Sequence, residues 1–206
     1  MMEVYEYGDK SAKIVLVQPV DEHSIDMLKE EIAEIKKRTD TDFLLAAFTV
    51  TDWNKELSPW KAKAVFGNDD FGNGAKDTLS KILEYCTDSE KTYYIGGYSL
   101  AGLFALWSAY NTNVFKGVAA VSPSMWFPGF DMFMKENEIE CNNVYLSLGN
   151  KEEKARNPVM ATVGDRIRSA EALLKDIGVN CILEWNEGNH FRDPSLRTAK
   201  GFSWLL

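Results

Sequence analysis

Apolar residues along this chain fall into short continuous runs, separated by stretches in which they recur at helical spacing. Ile14-Val15-Leu16-Val17-Gln18 is rich in β-branched residues and closed by Pro19, which predicts a buried strand. Over residues 24–37, Ile25, Leu28, Ile32 and Ile35 keep a helix's period, so one face packs against a sheet. Residues 43–50 predict a second buried strand. Helix follows over 75–86, strand over 92–96, helix over 100–110 and strand over 117–121. A short helix near 130–136, a strand over 143–148, a helix over about 159–177, a strand over 181–185 and a helix over 195–206 complete the series. Alternation of this kind predicts a mostly parallel sheet with helices on both faces, a three-layer α/β architecture. No linker or shift in composition interrupts it, so residues 1–206 read as a single domain. The stretch 51–73 is a long loop holding Trp53, Trp60 and Phe66, and loops longer than ~12–15 residues usually serve a site.

Composition narrows the function classes. At 45% apolar and 12% aromatic residues, the 206-residue chain can build a core, which excludes intrinsic disorder. A net charge of -8 without a Lys/Arg cluster would repel nucleic acid. No run approaches the ~20 apolar residues of a membrane span. The start, Met1-Met2-Glu3-Val4-Tyr5-Glu6, lacks the basic and apolar regions of a secretory signal, so a cytoplasmic location is expected. Three cysteines, Cys86, Cys141 and Cys181, show no CxxC spacing, and there are only two histidines, His23 and His190. A disulfide framework and a zinc site are therefore not expected, and neither is a cofactor.

The sharpest local signal is Gly96-Gly97-Tyr98-Ser99-Leu100-Ala101-Gly102, between a predicted strand and a predicted helix. A serine on so tight a turn takes a strained backbone, and residues two positions either side must be small because strand and helix nearly touch. Such a turn lifts the hydroxyl above the sheet edge and aims the Leu100 N–H at a developing oxyanion. The bland reading is a Gly-rich turn with an N-capping serine. A serine nucleophile needs a base, and His190 follows a predicted strand on the same sheet edge. His23, beside Ser24 and Asp26, reads as part of a helix cap. The base needs an orienting carboxylate, and the loop Leu148-Gly149-Asn150-Lys151-Glu152-Glu153 offers Glu152, with Glu153 in reserve.

Serine, acid and histidine in that order, each after a strand, resemble the α/β-hydrolase fold over nearly the whole chain. Within it the sequence resembles the serine esterases that include esterase-D-type enzymes, feruloyl esterases and enterochelin esterases. Gly97-Tyr98-Ser99-Leu100-Ala101-Gly102 resembles their nucleophile elbow, Ser122-Pro123-Ser124-Met125-Trp126 their Ser-Pro-x-x-Trp segment, and Gly188-Asn189-His190-Phe191 their histidine loop. The resemblance implies Ser99 as nucleophile and His190 as base and acid. Relatives carry aspartate after the acid strand, either three residues past its glycine, where this chain has Glu152, or directly after it, where it has Asn150. The acid is thus Glu152, Glu153 or absent. A second oxyanion N–H would come from Val20 or Asp21, since Pro19 has none. Trp53, Trp60, Tyr98 and Trp126 would wall a substrate pocket, or else simply pack. No lid of apolar helices is visible, which suits a small soluble ester as the partner molecule. The expected activity is ester hydrolysis through an acyl-enzyme; the alternatives are thioester or peptide cleavage, acyl transfer, or an inactive binding protein on the same fold. Oligomeric state is not legible.

Overall fold

The computed structural model describes residues 2–206. Seven strands form one sheet in the order β1-β3-β2-β4-β5-β6-β7. They are β1 (Val4–Gly8), β2 (Ile14–Val20), β3 (Phe43–Thr49), β4 (Thr92–Tyr98), β5 (Phe115–Val121), β6 (Asn143–Gly149) and β7 (Asn180–Asn186). All neighbours are parallel except β1, which runs antiparallel to β3 at the edge. The helices are α1 (Leu28–Lys36), α2 (Trp53–Glu56), α3 (Ala75–Tyr85), α4 (Leu100–Ser108), α5 (Phe130–Glu136), α6 (Pro158–Ala161), α7 (Val163–Asp176) and α8 (Pro194–Leu205).

The inner strands are apolar on both faces, as a parallel sheet covered on both sides requires. In β2 and β3, Val15, Val17, Leu44, Ala46 and Phe48 face the layer of α3, α4 and α7. Their alternates Leu16, Val20, Phe43, Leu45 and Ala47 face α1 and α8. Every residue of α4 is buried, so this helix is apolar all round and sits at the centre of its layer.

The sequence pattern is corrected at three places. β1 was not anticipated, because its residues are mostly exposed and carry no alternation. β2 runs through Pro19 to Val20. Its pairing with β4 ends at Val17, and the Val20 carbonyl turns to β3 to accept from Val50. The Pro19 nitrogen therefore faces the unpaired side and removes no ladder bond. The helix expected over 159–177 is two helices, with Asn157 Oδ1 capping the Val159 and Met160 N–H groups of the first. The 51–73 stretch is ordered: Glu56 accepts from the Thr51 and Asp52 N–H groups, and Ala62 bridges Phe71.

All three cysteines are free and buried. Burial pushes the thiols of Cys86 and Cys181 up to about 12 and that of Cys141 up to about 11. Among the described residues, no group of His, Cys, Asp and Glu could hold a metal ion, and no helix is long and apolar enough to cross a membrane.

Candidate active site

Ser99 stands between β4 and α4 with φ 61° and ψ -122°, a conformation L-residues avoid. The turn is held open by glycine. A Cβ on Gly97 would lie 2.7 Å from the Ala101 carbonyl carbon, and one on Gly102 2.8 Å from the Gly97 carbonyl oxygen. Gly97→Ala should therefore lower the urea-unfolding free energy by about 1–3 kcal/mol, the usual cost of overpacking, with Ser99 displaced. An unchanged unfolding midpoint would mean the elbow can relax. The segment Ser122-Pro123-Ser124 buttresses the same turn: Ser99 N–H donates to Val121 O and Ser124 N–H to Ser99 O.

β6 and β7 end together, Gly149 opposite Asn186, so the loops that follow leave side by side. The histidine loop is fixed by Gly188 N–H donating to Asn150 Oδ1 at 3.0 Å and by Lys151 N–H donating to Gly188 O at 3.0 Å. His190 Nε2 lies 3.0 Å from Ser99 Oγ, and its Nδ1 lies 2.7 Å from Glu152 Oε2. The two candidate glutamates thus separate geometrically, and Asn150 has a different task. Glu152 faces His190; Glu153 pairs with Arg168 at 2.7 Å; Asn150 ties down the histidine loop.

Glu152 is almost wholly enclosed. Its Oε1 accepts from Ser122 Oγ at 2.8 Å, Gly149 N–H at 2.8 Å and Arg197 Nη1 at 3.1 Å. Arg197, from α8, is 1% exposed. It also donates to the Tyr98 hydroxyl at 3.2 Å and to the carbonyls of Glu187 and Asn189 at 2.9 and 3.1 Å. One guanidinium therefore braces the acid, the elbow and the histidine loop together. The sequence reading missed it. The available signal was a lone cation in the run Ser195 to Ala199, most of which is buried.

Two N–H groups of the loops around Ser99 have no acceptor among the described residues. Leu100 opens α4, where no intrahelical acceptor exists for its N–H. Of Val20 and Asp21, only the second is available. In a strand a residue's N–H and C=O point the same way, and the Val20 carbonyl is committed to the β3 side. Asp21 lies just past the end of β2 and lines the same cavity as Ser99. Its carboxylate is occupied locally, accepting from Ser24 N–H at 2.8 Å.

Two cavities flank His190. One of about 270 Å³ contains Ser99, Asp21, Trp53, Tyr98 and Phe191. The other, about 280 Å³, is lined by Trp126, Glu152, Lys151, Lys154 and Phe191. A larger groove of about 710 Å³ runs beside Lys55, Lys63 and Asp70 and touches neither Ser99 nor His190. Of the four aromatic residues expected at a pocket, Trp53 and Tyr98 line the first cavity and Trp126 the second. Trp60 lines neither: its indole packs on Phe127, Phe130 and Phe133 and donates to Pro128 O at 2.9 Å. Tyr98 spends its hydroxyl on His190 O at 2.6 Å, and burial raises its pKa, so it stays a donor. Phe191, 86% exposed, stands at the rim of both cavities.

No family model matches the sequence, and no curated protein matches it significantly. Solved structures do match the fold. An IroE-like serine hydrolase from Shewanella oneidensis superposes with a TM-score of 0.78 at 13% identity, over 99% of this chain and 75% of that one. The siderophore hydrolase EstA from Aspergillus nidulans gives 0.70 at 16% identity, over 99% and 93%. The esterase PE8 gives 0.64 at 16% identity, over 100% and 99%. The chain has an α/β-hydrolase fold. Serine hydrolases and esterases are among the proteins that share it.

Proposed function

We propose that the chain is a serine hydrolase, a carboxylesterase that cleaves small esters through an acyl-enzyme. The observation that carries this reading is the Ser99–His190–Glu152 relay, with contacts of 3.0 and 2.7 Å, built on a strained elbow beside two free N–H groups. Ser99 Oγ attacks the ester carbonyl as His190 Nε2 takes its proton. The oxyanion is held by the N–H groups of Leu100 and Asp21, in the region where each such donor is typically worth ~10²–10³ in rate. His190 returns the proton to the leaving alcohol, and water repeats the sequence to free the acid. Glu152 fixes the imidazole tautomer and balances the imidazolium. The named activities of the similar structures, siderophore hydrolase and esterase, agree with ester cleavage.

The test is intact mass after treatment with a fluorophosphonate, beside p-nitrophenyl acetate turnover. One adduct on the wild type and none on Ser99→Ala is the expected result. The buried cysteines leave no exposed thiol to compete. A folded wild type with neither adduct nor turnover would overturn the reading and leave a binding protein on a hydrolase fold.

A further inference from the structure

The cavity beside Ser99 has a polar floor that ester cleavage does not use. Gln18 of β2 and Glu31 of α1 line it together with Ser99 and His190. Their side chains belong to residues only 6% and 4% exposed. They share one long hydrogen bond, Gln18 Nε2 to Glu31 Oε2 at 3.4 Å. Gln18 Oε1 and Glu31 Oε1 are both buried and have no partner among the described residues. Buried acceptors are normally satisfied, so two orphans on a cavity wall call for a donor from outside the protein.

The surrounding charge says which donor. No lysine or arginine pairs with Glu31, and none lines this cavity. On α8, which packs against α1, Arg197 is bonded to Glu152 and Lys200 to Glu184. The other titratable groups of the wall are Asp21, Tyr98 and His190, and the aromatic faces are Trp53 and Phe191. An uncompensated carboxyl, a second carboxylate nearby and aromatic faces form the environment that accepts an organic cation.

We propose that Gln18 and Glu31 form a subsite for a primary ammonium group, so that the ester cleaved at Ser99 carries a protonated amine. This rests on the serine-esterase reading and names its substrate class. An ammonium has three N–H donors and can satisfy both orphaned oxygens, whereas a hydroxyl has one. Burial pushes the Glu31 carboxyl up to about 8, so a cation binding there displaces a proton. The competing arrangement is a protonated Glu31 donating to Gln18 Oε1, a closed acid–amide pair that needs no ligand.

The experiment compares 2-phenylethylammonium with 2-phenylethanol as inhibitors of p-nitrophenyl acetate turnover near pH 7. The ammonium compound should inhibit competitively with Ki at least tenfold lower, and Glu31→Gln should erase that difference. Equal Ki values, or a preference that survives Glu31→Gln, would overturn the subsite. Calorimetric titration of both compounds into Ser99→Ala reads the same preference without chemistry. If no ester is turned over, the esterase reading fails, and this titration still decides the subsite. Glu31→Gln should fold. The unfolded state ionises Glu31 near 4.5 while the folded state keeps its proton to about 8. Wild-type stability therefore falls as pH rises through that window, and the Tm of the variant relative to the wild type should rise over it.

Discussion

Ser99→Ala and His190→Ala should each lower kcat for p-nitrophenyl acetate by on the order of 10⁴- to 10⁶-fold, and the double variant should be no worse than either. The reason is geometric. With Nε2 3.0 Å from Oγ, the hydroxyl and imidazole act as one unit, so removing either removes the nucleophile's activation entirely. What remains is binding and the oxyanion donors, which all three variants keep. Glu152→Gln should cost less, about 10⁴-fold, because it leaves nucleophile and base in place but favours the wrong imidazole tautomer. Single-turnover measurements across the four variants check the ranking. Losses that simply multiply in the double variant would mean that Ser99 and His190 act in separate steps, and a Ser99→Ala enzyme retaining a tenth of wild-type turnover would mean another nucleophile.

The second large effect lies on stability. Arg197→Met should cost about 3–5 kcal/mol, a Tm loss of roughly 6–20 °C for a domain of this size. The side chains of Arg197 and Glu152 are 2% and 5% exposed, so the substitution strands a buried carboxylate. It also removes the only described guanidinium donors to the carbonyls of Glu187 and Asn189. Adding Glu152→Gln to Arg197→Met should restore part of the loss, since no charge is then left unpaired. Arg197→Lys should rescue poorly, because a single ammonium cannot span acceptors that a planar fork reaches at once. Denaturant titrations of the two singles and the double form the cycle. A purely packing role for Arg197 would give no recovery in the double variant.

Much of the molecule was legible because its constraints are local. A strand buried on both faces is a short apolar run, and the five inner strands read that way, while β7 at the edge shows only the short run Cys181-Ile182-Leu183. The elbow was legible because Gly97, Ser99 and Ala101 are dictated by a clash within five residues of chain. His190 followed from the need for a base past a parallel strand. What failed to show was non-local. β1 is half of an edge pair whose partner, β3, lies some forty residues on. Choosing between Glu152 and Glu153 required knowing which way a one-turn 3₁₀ segment, Glu152–Lys154, faces. Val20 and Asp21 could be separated only by the side to which the β2 carbonyls turn. Trp60 looked like a pocket wall because loop aromatics do, but its partners Phe127 and Phe130 lie far along the chain.

The brace at Arg197 also makes activity a gauge of folding. Its bonds to Tyr98 and Glu152 close separations of 99 and 45 residues, and the Ser99–His190 contact closes one of 91. Contacts this distant in sequence form only when the chain's entropy has already been surrendered across β4 to α8. A partly folded molecule with a sound sheet but an undocked α8 would hold Ser99 in place and still lack an oriented acid. In a refolding experiment, far-ultraviolet signal should recover first and acylation of Ser99 last. Labelling at any moment would count the molecules that have finished folding.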